Sequence, residues 1–259
     1  MVTAGIDIGS LTAKAVIVDH GAGEVSGQFL LPTGVSPEAA GSEALAGALE
    51  RAGLQQADIE ESVATGYGRG AMRGVDWRIT EISCHARGAR EAVSEARTVI
   101  DMGGQDAKVI VLDEAGRPMD FEMNDRCAAG TGRFLEVMAD ALGISLQQLG
   151  ELAVNASEAV TLSSTCTVFA ESEVIGLLAE QHGVAEIAAG LCQAVAQRTV
   201  QMTNRLNVMG QVVLCGGVAL NEGVQQAMRE VLGMEVIVPP EPAFVGALGA
   251  AMIAGERSR

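Results

Sequence analysis

Two segments of the chain repeat one pattern, and this repeat limits the possible folds more than any other feature of the sequence. The segments are DIGSLTAKAVIVD, which begins at Asp7, and DMGGQDAKVIVLD, which begins at Asp101. In each, apolar residues precede and follow a short turn of glycine and polar residues, a pattern typical of a β-hairpin. An ungapped alignment of the two segments matches five positions: Asp7/Asp101, Gly9/Gly103, Ala13/Ala107, Lys14/Lys108 and Asp19/Asp113.

This repeat indicates that a folding unit has been duplicated, although two unrelated hairpins can share such common turn residues. Duplication predicts two lobes whose hairpin turns face each other across a cleft. Glycine N–H groups in the turns can bind phosphates there, while a carboxylate holds Mg²⁺ through water. A chain of 259 residues is long enough for two such lobes. Strand-like and helix-like patterns alternate along it, which predicts the α/β class.

A third glycine turn lies in VVLCGGVALNEGV, residues 212–224. Gly216 and Gly217 follow an apolar strand-like run and precede a helical pattern. Such a turn is weak evidence alone, but beside two phosphate-binding hairpins it predicts a loop on the adenosine side of a nucleotide. The chain has no GxxxxGK[ST] motif, so it is not a P-loop NTPase.

Five cysteines are present, and two of them have distinctive surroundings. Cys127 in NDRCAAGTGRFLEVMADAL and Cys166 in SSTCTVFAESEVIGLLAEQ are both predicted to lie at helix N-termini, where the helix dipole lowers the pKa of a thiol. His85 follows a third cysteine, but helix neighbours point in different directions, which disfavours a metal pair there. The remaining cysteines are expected to be small buried apolar residues: Cys84, Cys192 and Cys215.

Three roles are open to Cys127 and Cys166. A nucleophile would need a base, and none of the three histidines is placed beside either residue in the sequence. A disulfide is disfavoured in a reducing compartment. Metal ligation remains, and a [4Fe–4S] cluster normally takes four thiolates. Two identical subunits that give two thiolates each would complete one cluster on a twofold axis.

Charge and composition exclude several classes of function. The formal net charge of −16 argues against binding to nucleic acid or to anionic membranes. No signal peptide is visible at the N-terminus, and the longest apolar run is shorter than a membrane span. Five cysteines without framework spacing fit a reducing compartment, so we expect a cytoplasmic location.

The three glycine motifs resemble the two phosphate loops and the adenosine loop of the actin, sugar kinase and Hsp70 superfamily. This resemblance implies a duplicated ribonuclease H-like fold with two lobes around a nucleotide cleft that binds ATP or ADP with Mg²⁺. It implies one lobe of residues 1–95, to which a C-terminal helix of residues 243–259 returns, and a second lobe of residues 96–242. TEISCHARGAREAV and PAFVGALGAAMIAG resemble the superfamily's two hinge helices, whose small residues allow close approach.

The resemblance also implies roles for individual residues. Asp7 and Asp101 would organise Mg²⁺ and the attacking water, with Asp7 holding the ion through water, and Gln105 or Asp106 would orient the attacking water. The residues implied to bind the nucleotide are Gly9, Ser10, Leu11, Thr12, Lys14, Gly103, Gly104, Gln105, Asp106, Gly130, Thr131, Gly132, Arg133, Glu136, Gly216, Gly217, Val218 and Asn221.

From residue 5 to about residue 251, the chain resembles the activators of 2-hydroxyacyl-CoA dehydratases and the related ATPase subunits of benzoyl-CoA reductase. The motifs that carry this resemblance are GIDIGSLTAK, ATGYGR, VIDMGGQDAKVI, NDRCAAGTGRFLEVMA, SSTCTVFAESEVI, CGGVALN and GALGAA.

The family resemblance implies a homodimer in which Cys127 and Cys166 of both subunits hold one [4Fe–4S] cluster. It further implies that ATP hydrolysis drives one low-potential electron to a partner iron–sulfur dehydratase or reductase, with a ferredoxin or flavodoxin as donor. Oxygen sensitivity and an anaerobic setting would follow. Two alternatives are a small-molecule kinase of the actin superfamily and a nucleotide-dependent scaffold. Neither explains two cysteines in such similar surroundings.

Overall fold

The computed structural model describes residues 1–163, 166–208 and 210–258, and within them two five-stranded sheets form. The strands of the first sheet are β1 (Val2–Ile8), β2 (Thr12–Asp19), β3 (Glu24–Pro32), β4 (Glu61–Thr65) and β5 (Trp77–Arg78). Those of the second are β6 (Ala96–Met102), β7 (Ala107–Leu112), β8 (Pro118–Asn124), β9 (Gln211–Cys215) and β10 (Val236–Ile237). The first sheet has the order β3-β2-β1-β4-β5, and the second has the order β10-β9-β6-β7-β8.

Helices pack on both sheets and supply most of the remaining core. They are α1 (Pro37–Ala52), α2 (Glu81–Ala92), α3 (Gly132–Leu142), α4 (Leu146–Val154), α5 (Thr167–Ala179), α6 (Val184–Thr203), α7 (Glu222–Leu232) and α8 (Val245–Arg257). Among the described helices, none combines the length and the apolar character that crossing a membrane requires.

The two predicted hairpins are confirmed, and their strands pair in the same register. In the first hairpin, β1 runs antiparallel to β2 and Asp7 lies opposite Lys14. In the second hairpin, β6 runs antiparallel to β7 and Asp101 lies opposite Lys108. Each sheet then adds a parallel strand beside the first one, β4 in the first sheet and β9 in the second. The two sheets therefore repeat one arrangement, which confirms the predicted duplicated α/β fold.

The predicted hinge helices α2 and α8 form and cross each other at glycines. A Cβ atom on Gly88 would lie 2.0 Å from the Val245 carbonyl oxygen, and one on Gly249 would lie 1.8 Å from the Cys84 carbonyl oxygen. Helix α8 packs on β1 and β4, whereas α2 packs with its apolar face on the second sheet. The crossing thus joins the two sheets, and the lobe boundaries at residues 95 and 242 stay a prediction.

The prediction that Cys127 begins a helix is wrong. Helix α3 begins at Gly132, and Thr131 is its N-cap residue. Gly130 has φ of +83° and Thr131 is extended, so this backbone cannot continue a helix toward the cysteine. Cys127 lies instead in the loop of residues 125–131, called the cysteine loop below, between β8 and α3.

Cys166 is the N-cap residue of α5, as its predicted place at a helix start requires. Of the predicted capping residues before it, Ser163 donates its hydroxyl to Glu173 instead (2.9 Å), while Ser164 and Thr165 lie outside the described residues. The prediction that the other three cysteines are buried is confirmed, since at most 1% of each is exposed: Cys84, Cys192 and Cys215.

Candidate functional site

A cavity of about 630 Å³ lies between the two hairpin turns, within the size range of small-molecule sites. The turns close alike, because Gly9 N donates to Thr12 O (3.0 Å) and Gly103 N donates to Asp106 O (2.9 Å). Most residues predicted to bind or process a nucleotide line this cleft: Asp7, Gly9, Ser10, Leu11, Thr12, Lys14, Asp101, Gly103, Gly104, Asp106, Gly132, Glu136, Gly216, Gly217, Val218 and Asn221.

Four residues of the predicted site do not line the cleft. Gln105 is exposed on the second hairpin turn, and Arg133 is exposed in an ion pair with Glu136 (3.0 Å). Thr131 is fully buried and donates its hydroxyl to the Ala128 carbonyl (2.7 Å). Gly130 is buried beside Arg198. Their roles in nucleotide binding or in orienting water stay predictions.

The two hairpin turns touch each other at the cleft. The Leu11 side chain lies against Gly104, where a Cβ atom would be 2.4 Å from Leu11 Cδ1. A side chain at this position would have to displace Leu11, so the contact favours glycine in this turn of the second hairpin. The two turns are therefore in direct contact at the cleft.

On the first hairpin, Asp7 is buried, and one cation of the described residues lies within 4.0 Å of its carboxylate. Lys14 Nζ lies 3.4 Å from Asp7 Oδ2, and Asp7 is 5% exposed. The backbone of Gly66, which has φ of +85°, passes close to this carboxylate. A Cβ atom on Gly66 would lie 2.5 Å from Asp7 Oδ1. With a single cation at this distance, the carboxylate keeps the capacity to hold a hydrated Mg²⁺.

On the second hairpin, Lys108 is almost fully buried among three carboxylates. Its Nζ lies 2.7 Å from Asp106, 2.9 Å from Glu81 and 3.3 Å from Asp101. Burial alone would lower the pKa of Lys108, but the three negative charges outweigh it and hold that pKa well above its usual value. Burial alone would likewise raise the pKa of Asp101, yet His85 and Lys108 hold it well below its usual value.

His85 is the second cation beside Asp101. Its Nδ1 lies 3.0 Å from the Glu81 carbonyl oxygen and its Nε2 lies 3.3 Å from Asp101 Oδ1. Both partners are acceptors, so both ring nitrogens donate and the ring is an imidazolium. Burial alone would lower the pKa of His85, but the Asp101 charge and hydrogen bond raise it to about 9.

Glu81 and His85 are cleft residues that the sequence motifs did not identify. They lie four residues apart on α2 and so share one face of that helix. This spacing, on a helix predicted to cross the hinge, is the signal that could have found them. Helix α4 also lines the cleft with residues that no motif indicates: Leu146, Gln147, Gly150 and Glu151.

Among the described residues, one buried group could in principle hold a metal ion: His85, Asp101 and Cys215, whose ligand atoms lie within 4.8 Å of one another. Burial and the neighbouring Asp101 raise the pKa of Cys215 well above 9, which keeps the residue a thiol. Lys108 adds a positive charge beside the same carboxylate. These groups fit a hydrogen-bonded network around Asp101 better than a metal site.

The cysteine loop is held in place at both ends. At its start, Asn124 donates its side-chain amide to the carbonyls of Cys127 (2.9 Å) and Ala129 (3.2 Å). At its end, the α3 N-terminus is hydrogen-bonded to the second hairpin turn, because the N–H groups of residues 132 and 133 donate to the carbonyls of residues 103 and 104 (2.9 and 2.8 Å). Helix α3 in turn packs against α5, which Cys166 begins.

The accessibility of the five thiols divides them into two classes. Cys127 is half-buried and Cys166 is exposed, whereas the other three are buried. Beside Cys166, helix α5 exposes an apolar surface: Val168 is 69%, Phe169 66% and Ile175 55% exposed. Exposed apolar residues grouped on one helix are typical of an interaction surface.

Comparison with known proteins gives a consistent match along nearly the whole chain. Residues 4–254 match the model described as the BadF/BadG/BcrA/BcrD ATPase family. The 2-hydroxyisocaproyl-CoA dehydratase activator of Clostridioides difficile is 45% identical over an alignment of 260 positions, which covers 100% of this chain and 97% of that protein. The activator of lactoyl-CoA dehydratase of Anaerotignum propionicum is 47% identical over 260 residues, with coverage of 100% and 99%.

A solved structure is similar in fold along the full length. It is the crystal structure of component A of the Acidaminococcus fermentans (R)-2-hydroxyglutaryl-CoA dehydratase, with a TM-score of 0.95 and 42% sequence identity. The match covers 100% of this chain and 99% of that one.

Proposed function

The chain belongs to the BadF/BadG/BcrA/BcrD ATPase family, and we propose that it uses ATP hydrolysis to activate a partner 2-hydroxyacyl-CoA dehydratase reductively. The observation that carries the proposal is the hydrogen-bonded contact between the second hairpin turn and the helix that follows the cysteine loop. Identity of 45% to a dehydratase activator along the whole chain favours this function over the kinase and scaffold alternatives.

ATP and ADP bind in the cleft between the two hairpins in this proposal. Ser10 and Lys14 of the first hairpin contact the phosphates together with the glycine N–H groups of both turns, and the Gly216 turn lies on the adenosine side. Asp7 holds Mg²⁺ through water, since one distant lysine leaves its charge largely available. Asp101 is already compensated by two cations, which suits it to orienting water and phosphate rather than to binding the ion.

The cysteines fit a [4Fe–4S] cluster shared between two copies of the chain. Cys127 and Cys166 are free and accessible, and the three buried thiols are not available as ligands. Two thiolates from each of two subunits make the four that such a cluster takes, and when bound it supplies one electron at low potential. The apolar surface of α5 beside Cys166 suits a second copy at this place.

The coupling between nucleotide and cysteines follows from backbone contacts. If ATP draws the hairpin turns together, the α3 N-terminus must follow the second turn, because two hydrogen bonds connect them. The cysteine loop is continuous with that N-terminus, and α5 packs on α3. Packed elements move as bodies rather than deforming. Nucleotide state therefore changes the placement of both cysteines, at the surface where an electron donor such as ferredoxin or flavodoxin and the partner dehydratase would bind.

Two kinds of variant separate the two halves of the proposal. Cys127→Ala or Cys166→Ala should remove the visible absorbance of anaerobically purified protein and leave ADP binding intact, whereas Asp7→Ala should do the reverse. Cys192→Ala, at a buried thiol, is the matched control and should keep about four iron atoms per dimer. A Cys127→Ala protein with a full iron content would show that the ligand assignment is wrong.

The activation itself is measured with a purified 2-hydroxyacyl-CoA dehydratase. We expect the reduced protein to activate the dehydratase only when ATP and Mg²⁺ are present, and the Asp7→Ala variant to fail with its cluster intact. Activation of equal extent with ADP would contradict the proposed coupling.

A further inference from the structure

We propose that His85 is a positioning residue for ATP hydrolysis, which holds the Asp101 carboxylate in the cleft from the crossing of α2 and α8. The inference rests on the proposed use of the cleft as the hydrolytic site. It concerns a residue to which neither the sequence motifs nor the family resemblance assigns a role.

The crossing of the two helices has approximate twofold symmetry, and His85 breaks it. Gly88 approaches the carbonyl of Val245, and Gly249 approaches the carbonyl of Cys84, so each glycine meets the residue four positions before the other glycine. The position on α8 that corresponds to His85 is therefore Gly246. One helix places an imidazole at the crossing, and the other places no side chain.

Gly246 leaves the space that the imidazole occupies. A Cβ atom on Gly246 would lie 2.8 Å from His85 Cε1 and 3.0 Å from Asp7 Oδ2. The same point therefore borders the ring and the Asp7 carboxylate, while the ring's Nε2 lies 3.3 Å from Asp101 Oδ1. His85 thus lies at the place where the two halves of the cleft meet.

The His85 ring is held in place by contacts other than its hydrogen bond to Asp101. It is 5% exposed, and its Nδ1 donates to the Glu81 carbonyl one turn earlier on α2. Thr80 caps that turn, because its side chain accepts a hydrogen bond from the Ser83 N–H. A donor held in this way restricts the carboxylate to one orientation, which matters because misplacement by about 1 Å can reduce a rate by roughly 10²-fold.

Asp7 has no corresponding support from α8. Its hydrogen-bonding partner among the charged side chains is Lys14, at 3.4 Å. The two aspartates occupy equivalent positions in the repeated hairpins, but Asp101 is paired with His85 and Lys108, whereas Asp7 is paired with Lys14. The difference assigns orientation of the reacting groups to Asp101 and leaves the metal to Asp7.

A buried histidine at a helix crossing can also serve packing alone, and two amide substitutions distinguish these roles. The amide nitrogen of glutamine lies about where the histidine Nε2 lies, so His85→Gln keeps a donor toward Asp101. The shorter asparagine reaches only about as far as Nδ1, so His85→Asn loses that donor. Both remove the aromatic ring, and a packing role predicts similar effects for the two.

The test is steady-state Mg-ATP hydrolysis by anaerobically purified dimer with its cluster. We expect kcat to fall roughly 10²-fold in His85→Asn with the KM for ATP within about threefold of wild type, and to fall less than about tenfold in His85→Gln. His182→Asn, at an exposed histidine, is the control and should hydrolyse ATP as the wild type does. ADP binding by each variant establishes that the cleft is folded.

Equal loss of kcat in both His85 variants, or no loss in either, would overturn the inference. If His85→Asn does not fold, His85→Met takes its place, because methionine fills a similar volume without a donor toward Asp101, and we expect it to lower kcat by at least tenfold with ADP binding preserved. Unchanged kcat in that variant also refutes the inference. Absence of Mg-ATP hydrolysis by the wild type would instead contradict the proposed function, so the two failures are distinguishable.

Discussion

The substitution Gly249→Ala tests the helix crossing on which the whole arrangement depends. The added Cβ atom would lie 1.8 Å from the Cys84 carbonyl oxygen and 2.6 Å from the Gly88 nitrogen. Both atoms belong to the backbone, so no side chain can turn away. Ordinary contact begins at 3.4 Å, and the two helices must therefore move apart by roughly 1.5 Å.

The expected destabilisation follows from two opposing terms. Overpacking of a well-packed interior costs about 1–3 kcal/mol, and two backbone contacts place this site at the upper end. Alanine is favoured over glycine within a helix by up to about 1 kcal/mol, which offsets part of that cost. The net loss of about 2 kcal/mol corresponds to a decrease in Tm of about 4–8 °C for a chain of this size.

Guanidinium and thermal unfolding, followed by circular dichroism, measure this effect. The guanidinium midpoint should fall with an unchanged m-value, which indicates a loss of stability rather than a change in the unfolded state. Gly176→Ala is the matched control, because Gly176 lies within α5 with no atom within 4 Å of its added Cβ. We expect the control to melt at or slightly above the wild-type temperature. A Gly249→Ala protein that melts with the control would refute the close crossing.

Three further predictions concern the charged network and the cysteine loop. Lys108→Met leaves three carboxylates without their shared cation and should destabilise the protein by about 3–5 kcal/mol, measured as a loss of guanidinium midpoint at pH 7. The pKa of His85 rises from 6.5 to about 9 on folding, so its contribution of about 3 kcal/mol is complete below pH 6.5 and is lost as the pH rises through 9. Guanidinium midpoints across this range should fall in the wild type and fall less in His85→Gln; equal slopes would contradict the assignment. Gly130→Ala forces alanine to φ of +83° beside Arg198, and we expect a cost of about 1–2 kcal/mol, seen as a lower Tm; an unchanged Tm would show that the loop adapts.

The hairpins were predictable because their information is local. Alternating apolar residues set the strand faces, and glycine with an acid at a fixed spacing sets the turn. The second copy of the motif also fixed the register, since Asp7 with Lys14 and Asp101 with Lys108 had to pair alike if the unit was duplicated. The structure has this pairing in both sheets.

The start of α3 was not predictable in the same way. Ala128 and Ala129 are good helix formers, and the apolar spacing after them extends a helical pattern back toward Cys127. The break depends on Gly130 taking a positive φ and on the hydrogen bonds that connect the α3 N-terminus to the second hairpin turn. Those partners lie far from the loop in sequence, so local propensity cannot indicate them.

The sequence did not identify the residues that surround Asp101, for a related reason. Lys108 was matched to Lys14 by the repeat, but its three carboxylate partners come from two separate segments. Glu81 and His85 meet the second hairpin because the apolar face of α2 packs on the second sheet. Motifs identify the parts of a site that contact a ligand through backbone, and tertiary packing determines which side chains support them.

The two repeated hairpins differ in the side chains and helices that contact them, and the proposed function gives their aspartates different roles. Identical hairpins with identical supports would give two equivalent carboxylates and no preferred direction for motion. Instead, the second hairpin alone is joined to α2 through His85 and Lys108 and to α3 through backbone hydrogen bonds. In the proposed function, a force that ATP exerts on the second turn reaches α3, the helix that follows the cysteine loop. On this proposal we therefore expect these departures from symmetry to direct the movement toward Cys127 and Cys166, and we expect substitutions there to uncouple ATP hydrolysis from electron transfer.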